Sequence, residues 1–265
     1  MAWSPHGTPA MTSLLSRAEI RVHLAPRTLI ACEVARLWLR PLITRKAHFD
    51  FADGDRGAAM EALASWIGQG PAGRALTWII GAGETQYFVL PWSPALIDRG
   101  LRDAYARARF EQLFDQDASS SAFYFSAPSD DNGQLVSCVP LELPKELTAF
   151  ARRTGCELAG IKPSVPMVWD QFRDVLETER GTLCVVDGDR QAIVRHDRKR
   201  IKDITVRPSS KPAVATSKRE GVFRRFSNNP SIAPPPSTAD LRLPGQPGFV
   251  AAQDAAYAFA LCGAI

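Results

Sequence analysis

Four absences narrow the possibilities. No uninterrupted apolar run approaches the roughly 20 residues a membrane-spanning helix needs. No Cys-x-x-Cys spacing occurs, and the five cysteines (Cys32, Cys138, Cys156, Cys184, Cys262) are scattered and odd in number, which argues against zinc and against a disulfide framework. Buried thiols in a reducing compartment are expected. His23, His48 and His196 have no second ligand at helical or alternate-strand spacing, so no metal site is expected. The stretch before Ser16 lacks the basic-then-apolar pattern of an export signal, with Met11 an alternative start, and no Gly-x-Ser-x-Gly text marks a serine hydrolase.

What is present fits a globular protein of 265 residues with a sizeable core, 45% hydrophobic and 23% charged. The net charge of +4 is uneven. From Arg195 to Arg225 there are eleven Lys/Arg against Asp197, Asp203 and Glu220, a local +8 that leaves about −4 elsewhere. Such asymmetry suggests a segment for an acidic partner. Its members are Arg195, Arg198, Lys199, Arg200, Lys202 and Arg207, extended by Lys218, Arg219, Arg224 and Arg225 with Phe223 and Phe226 interleaved. Nucleic acid would bind such a ribbon through counterion release and stacking. An anionic membrane surface would be drawn to it by charge.

Along the chain, Ile20–Leu24 and Leu29–Val34 predict paired strands turned at Pro26, and Trp38–Phe51 a third strand kinked at Pro41. A helix over Asp55–Gly68 carries Met60, Leu63, Ala64 and Ile67 on one face. Leu76–Ile80 and Thr85–Trp92 predict a hairpin. The intervening Gly81-Ala82-Gly83 is no dinucleotide fingerprint, because Gln86 replaces the third glycine and no helix follows. Ser93-Pro94 opens a helix with Ile97, Leu101, Ala104, Tyr105, Phe110, Leu113 and Phe114 inward. Strands at Ala122–Ser126 and Gln134–Val139, a helix over Pro144–Thr154, a strand at Leu158–Ile161 and a helix to about Leu176 follow. A hairpin then turns at Asp187-Gly188, with a third strand at Ile201–Arg207. Eight of the twenty prolines fall between Pro208 and Gly248, which predicts a linker. Phe249–Ile265 is expected to dock as a helix.

The stretch Ile20–Val34 resembles the opening phosphate hairpin of an actin-type ATPase, apolar-Asp-apolar-Gly-Ser-x-x-(Ile/Val)-Lys-Ala-x-Glu-(Leu/Val). His23 stands at the carboxylate position, Ala25 at the glycine and Ile30 at the lysine, while Ala31, Glu33 and Val34 keep the frame. Together with the element order and the Val89-Leu90-Pro91-Trp92 ending, the chain is similar to the actin-like (ribonuclease-H-like) modules of type IV pilus and type II secretion platforms, the PilM and GspL type. The resemblance runs over about 18–207. It implies an α/β, mixed-sheet actin-like body with a small α+β insert: a disordered 1–17, a first lobe at 18–92, the insert at 93–163, a return helix and second-lobe hairpin at 164–207, a linker at 208–248 and a docked helix at 249–265. The rest of the second lobe is expected to be missing, making the chain a degenerate and truncated relative. One mixed sheet is expected to hold both the N-terminal strands and the Thr182 hairpin.

Phosphoryl transfer needs donors for phosphates, magnesium on carboxylates and a positioned water, which His23, Ala25 and Ile30 do not supply. Two-metal nuclease chemistry needs clustered carboxylates, yet Glu33 reads as an outward strand position and Asp187 as part of its turn. Cys156 reads as a packed thiol. The resemblance therefore implies a non-catalytic scaffold without cofactor or small-molecule substrate, in the cytoplasm and peripheral at the inner membrane. Its implied partner is the cytoplasmic peptide of an inner-membrane platform protein, held in a groove beside the insert or along a strand edge. Nucleic-acid binding through 195–225 is the second reading, residual ATP binding the third.

Overall fold

The computed structural model describes residues 15–37, 40–52, 55–126, 133–210, 221–229 and 238–265. In chain order come β1 (Leu15–Ala25), β2 (Thr28–Leu37), β3 (Arg40–Asp50), α1 (Gly57–Gly68), β4 (Ala75–Ile80) and β5 (Gln86–Leu90). A 3-10 turn at Pro94–Ile97 precedes α2 (Arg99–Phe114), then β6 (Ser121–Phe125), β7 (Gln134–Pro140), α3 (Glu142–Arg153) and β8 (Glu157–Pro163). After them come α4 (Ser164–Gln171), α5 (Arg173–Leu176), β9 (Arg180–Asp187), β10 (Arg190–Asp197), β11 (Arg200–Pro208), β12 (Val222–Ser227), β13 (Thr238–Asp240) and α6 (Ala258–Leu261).

These strands build three sheets: β3-β2-β1-β4-β8, β11-β10-β9-β12-β13 and β5-β7-β6. The two five-stranded sheets share one topology. Each begins with an antiparallel meander of three strands, and each continues with two strands parallel to the meander's first. Period-two alternation places β1 between two cores. Ile20, Val22 and Leu24 face α1 and α3, joining Leu63, Trp78 and Phe150. Arg21 and His23 face the second sheet. The parallel strands β4 and β9 are buried on both faces, as near-continuous apolar text requires.

Several expectations are corrected. The N-terminal strands and the Thr182 hairpin lie in separate sheets, because each lobe closes its own five strands. The second lobe is not missing: β12 and β13 come out of the supposed linker, Phe223 and Phe226 pack, Arg224 pairs with Glu179 and Arg225 is buried. β4 and β5 form no hairpin. After Gly81 the chain leaves the first sheet, so β5 pairs β7 in the insert and β8 returns beside β4. On α2 the buried residues are Ala106 and Phe110, while Ile97 (77% exposed) and Leu101 (57%) point outward with Tyr105 and Leu113. The helix after Pro163 breaks at Phe172. The docked C-terminal segment is helical over one turn only, although Phe249 and the run 258–262 are buried. β1 starts at Leu15, inside the segment expected to be disordered; the remainder of that segment lies outside the described residues.

Candidate functional site

The two meanders turn toward each other. At the first turn Ala25 pairs with Thr28, and at the second Asp187 pairs with Arg190 across Gly188, whose φ of 58° is left-handed. His23 sits two residues before the first turn. Its Nε2 meets Asp187 Oδ2 at 3.1 Å, and neither side chain is exposed. The backbone N–H of Ala82 donates to the same oxygen at 3.1 Å, and Asn228 Nδ2 donates to Oδ1 at 3.3 Å. Gly81 is required by this approach, since a Cβ there would lie 2.4 Å from Asp187 Oδ2 and 2.8 Å from the Leu24 carbonyl.

The C-terminal segment completes the seal. Phe259 stacks on His23 with centroids 4.8 Å apart and meets Phe226 edge-on. Arg21 Nε and Nη2 donate to the carbonyls of Ala260 and Cys262, both at 2.7 Å. The first strand of this hairpin is thus tied both to the second lobe and to the C-terminal segment.

These residues do not fit a nucleotide. The position between the two turns already holds a buried carboxylate, and the Ala82 N–H is spent on it. Ile30, opposite His23 in the hairpin, is packed in the core and offers no cation. Ala25 is likewise buried. The other carboxylates lie apart. Glu33, expected to face outward, is buried and accepts from Arg74 at 2.8 Å and Arg45 at 3.2 Å. Asp50 meets His48 at the surface. Among the described residues no three His, Cys, Asp or Glu side chains are placed to hold a metal ion. Burial pushes the Cys32, Cys138 and Cys262 thiols up to about 12 and Cys184 to about 11, which keeps them protonated and unreactive at neutral pH.

The basic residues do not form one free ribbon. Arg195 binds Asp203 at 2.6 Å, Lys202 binds Asp197 at 2.9 Å, and Arg224 binds Glu179. Arg225 is buried. Arg207 lies half-buried on β11. Arg198, Lys199 and Arg200 are exposed at the β10–β11 turn. Lys218 and Arg219 lie outside the described residues.

A concavity of about 570 Å³ runs between the insert and the second lobe. Tyr87 to Val89 of β5, Ile204 to Val206 of β11 and Leu113 of α2 line it, and β5 and β11 pack against each other. Both are terminal strands of their sheets. Arg109, Arg190 and Lys202 stand around it.

Sequence reasoning missed the role of Asp187 because Asp-Gly is a sufficient turn signal by itself. The available clue was its place at the end of the apolar run Leu183–Val186. Arg74 and Arg21 carried no local signal, since their partners are remote.

Among the described residues no helix is long and apolar enough to cross a membrane. No family model matches the chain, and no curated protein matches it in sequence. Among solved structures it is similar to the cytoplasmic domain of EpsL, an inner-membrane component of the type II secretion system of Vibrio cholerae (TM-score 0.57, 10% identity, covering 93% of this chain and 99% of that one). It is also similar to a chain of the PilM-PilN type IV pilus biogenesis complex (TM-score 0.53, 13% identity, 71% of this chain and 60% of that one). A third likeness is to a Bacteroides thetaiotaomicron protein of unknown function with an actin-like ATPase fold (TM-score 0.50, 7% identity, 76% and 74%). At these identities the likeness is one of architecture: the chain has the mixed-sheet α/β fold of the actin-like modules.

Proposed function

We propose that this protein is a non-catalytic scaffold of an inner-membrane platform of the type II secretion or type IV pilus kind, and that it captures a short cytoplasmic peptide of a membrane protein. The carrying observation is the His23–Asp187 pair. It occupies the place between the two turns where an actin-like ATPase needs phosphates, cations and a water. A buried carboxylate there repels a phosphate rather than holding it.

Capture is assigned to the groove that β5, β11 and α2 line. Terminal strands offer backbone donors and acceptors to an extended segment, and alternate side chains of that segment give specificity. The names of two similar structures, a secretion-system inner-membrane component and a pilus biogenesis complex, support this system. The site of action is then the cytoplasmic side of the inner membrane, with Arg198, Lys199 and Arg200 available to anionic headgroups. Nucleic acid is the weaker partner, because Arg195, Lys202 and Arg224 are neutralised by carboxylates.

Two titrations test the proposal. Synthetic peptides from the cytoplasmic tails of membrane proteins encoded beside this gene are titrated into the wild type and Leu113→Asp. ATP with magnesium is titrated in parallel. Saturable peptide binding lost in Leu113→Asp supports the scaffold. Saturable micromolar ATP binding overturns it.

A further inference from the structure

A second cavity, about 210 Å³, lies on the second lobe beyond the ends of β12 and β13, under the segment leading to α6. Its walls are apolar: Phe226, Leu241, Leu243 and Phe249. Against them stands a cation. Arg225 is only 4% exposed, yet it has no carboxylate partner among the described residues. Its Nη2 makes two long hydrogen bonds, to Ser227 Oγ at 3.2 Å and to the Asn229 carbonyl at 3.4 Å. The charged neighbours at the cavity, Asp240 and Arg242, face each other at 3.6 Å and cancel.

A buried guanidinium without a counter-charge is costly, and proteins otherwise pair such groups. Its planar fork matches a carboxylate in two parallel hydrogen bonds. The cavity therefore holds one uncompensated positive charge beside an apolar wall. We infer that this cavity binds a small monocarboxylate, an aliphatic or aromatic acid, with its carboxylate on Arg225 and its body against Phe226 and Phe249. A polyphosphate suits it less. Only one net positive charge is available, and the Asp240 carboxylate stands in the lining.

This site is separate from the β5–β11 groove and is independent of the scaffold reading. The test uses butanoate and benzoate as probes, with sodium chloride at matched ionic strength and inorganic phosphate as controls. The proteins are the wild type, Arg225→Met and Ala252→Phe. At about five times its Kd a probe is expected to raise the wild-type Tm by about 2–4 °C and to saturate. Arg225→Met is expected to abolish that shift and, because it removes an unpaired buried charge, to melt no lower than the wild type without ligand. Ala252→Phe keeps the cation and fills the cavity mouth, and is expected to lose the shift as well. No saturable shift with either acid, an equal shift in Arg225→Met, or saturation by phosphate alone overturns the inference. A lowered ligand-free Tm in Arg225→Met assigns Arg225 a structural role and also overturns it.

Discussion

His23 and Asp187 lie 164 positions apart in sequence and meet at 3.1 Å in a site closed to solvent. Each belongs to the first strand of its own five-stranded sheet, so this one contact ties the two lobes at their turns. Removing the carboxylate leaves His23 Nε2 and the Ala82 N–H unpaired in the interior. Asp187→Ala is expected to cost about 3–5 kcal/mol. Urea unfolding measures it, and a double-mutant cycle with His23→Ala should return a coupling above about 0.5 kcal/mol. Simple additivity would show that the lobes are not joined there.

Gly81 and Gly188 make a controlled comparison at the same site. A Cβ at Gly81 collides with Asp187 Oδ2 and the Leu24 carbonyl, whereas at Gly188 nothing lies within 4 Å and only the positive φ opposes a side chain. Gly188→Ala is expected to lose about 1–2 kcal/mol. Gly81→Ala should lose more, by displacing the carboxylate. Equal losses from thermal melts would refute this ordering.

The Glu33–Arg74 pair is the second buried ion pair with long reach. Arg74 also donates to the Ile67 carbonyl, so it links β2, the end of α1 and the approach to β4. Glu33→Ala strands a buried guanidinium and is expected to cost about 3 kcal/mol or more. Arg45, more exposed, should contribute under about 1 kcal/mol when replaced by Ala. Chemical denaturation ranks the two.

Arg21 holds two carbonyls with one guanidinium. Lysine cannot span both in a fixed fork, so Arg21→Lys should resemble Arg21→Met, each losing about 2–3 kcal/mol. Amide exchange across 258–262 is the sensitive readout. Unchanged protection there would mean the clasp contributes nothing.

His196 sets a pH dependence. Burial lowers its pKa below the ordinary 6.5, since the charged imidazolium is disfavoured there. The unfolded chain then binds the extra proton first as pH falls. Stability is full above about pH 6.5 and is lost as pH drops from there toward the depressed folded value. His196→Phe, able to keep the edge-on contact with Trp169, should flatten that slope. An identical pH profile in the variant would remove His196 as its source.

Local text carried much of the first lobe. Alternation in Ile20–Leu24 and Leu29–Val34, a proline-set turn and the spacing of Met60, Leu63 and Ile67 each have a physical cause inside a short window. The second lobe was illegible for the opposite reason. β12 reads Val-Phe-Arg-Arg-Phe-Ser, and its two arginines look like a solvated segment until Glu179 and the interior around Ser227 are known to receive them. The same limit misled α2. A periodic apolar stripe says that a helix has an apolar face, not which face the rest of the molecule covers. At the site, His23, Ala25 and Ile30 were legible only as departures from the hairpin pattern they resemble. What replaced that chemistry depended on Asp187, whose partner is far away in the chain.

Arg21 and Ala260 are 239 positions apart, yet one hydrogen bond joins them. During synthesis the opening meander can zip by neighbour contacts as it emerges, but its inner face must wait, wet and unclasped, until Ala260 and Cys262 have been made. Such remote closure slows folding and prolongs exposure of sticky surface. Variants weakened at this clasp should therefore accumulate as insoluble material at ordinary expression rates, even where their finished form remains sound.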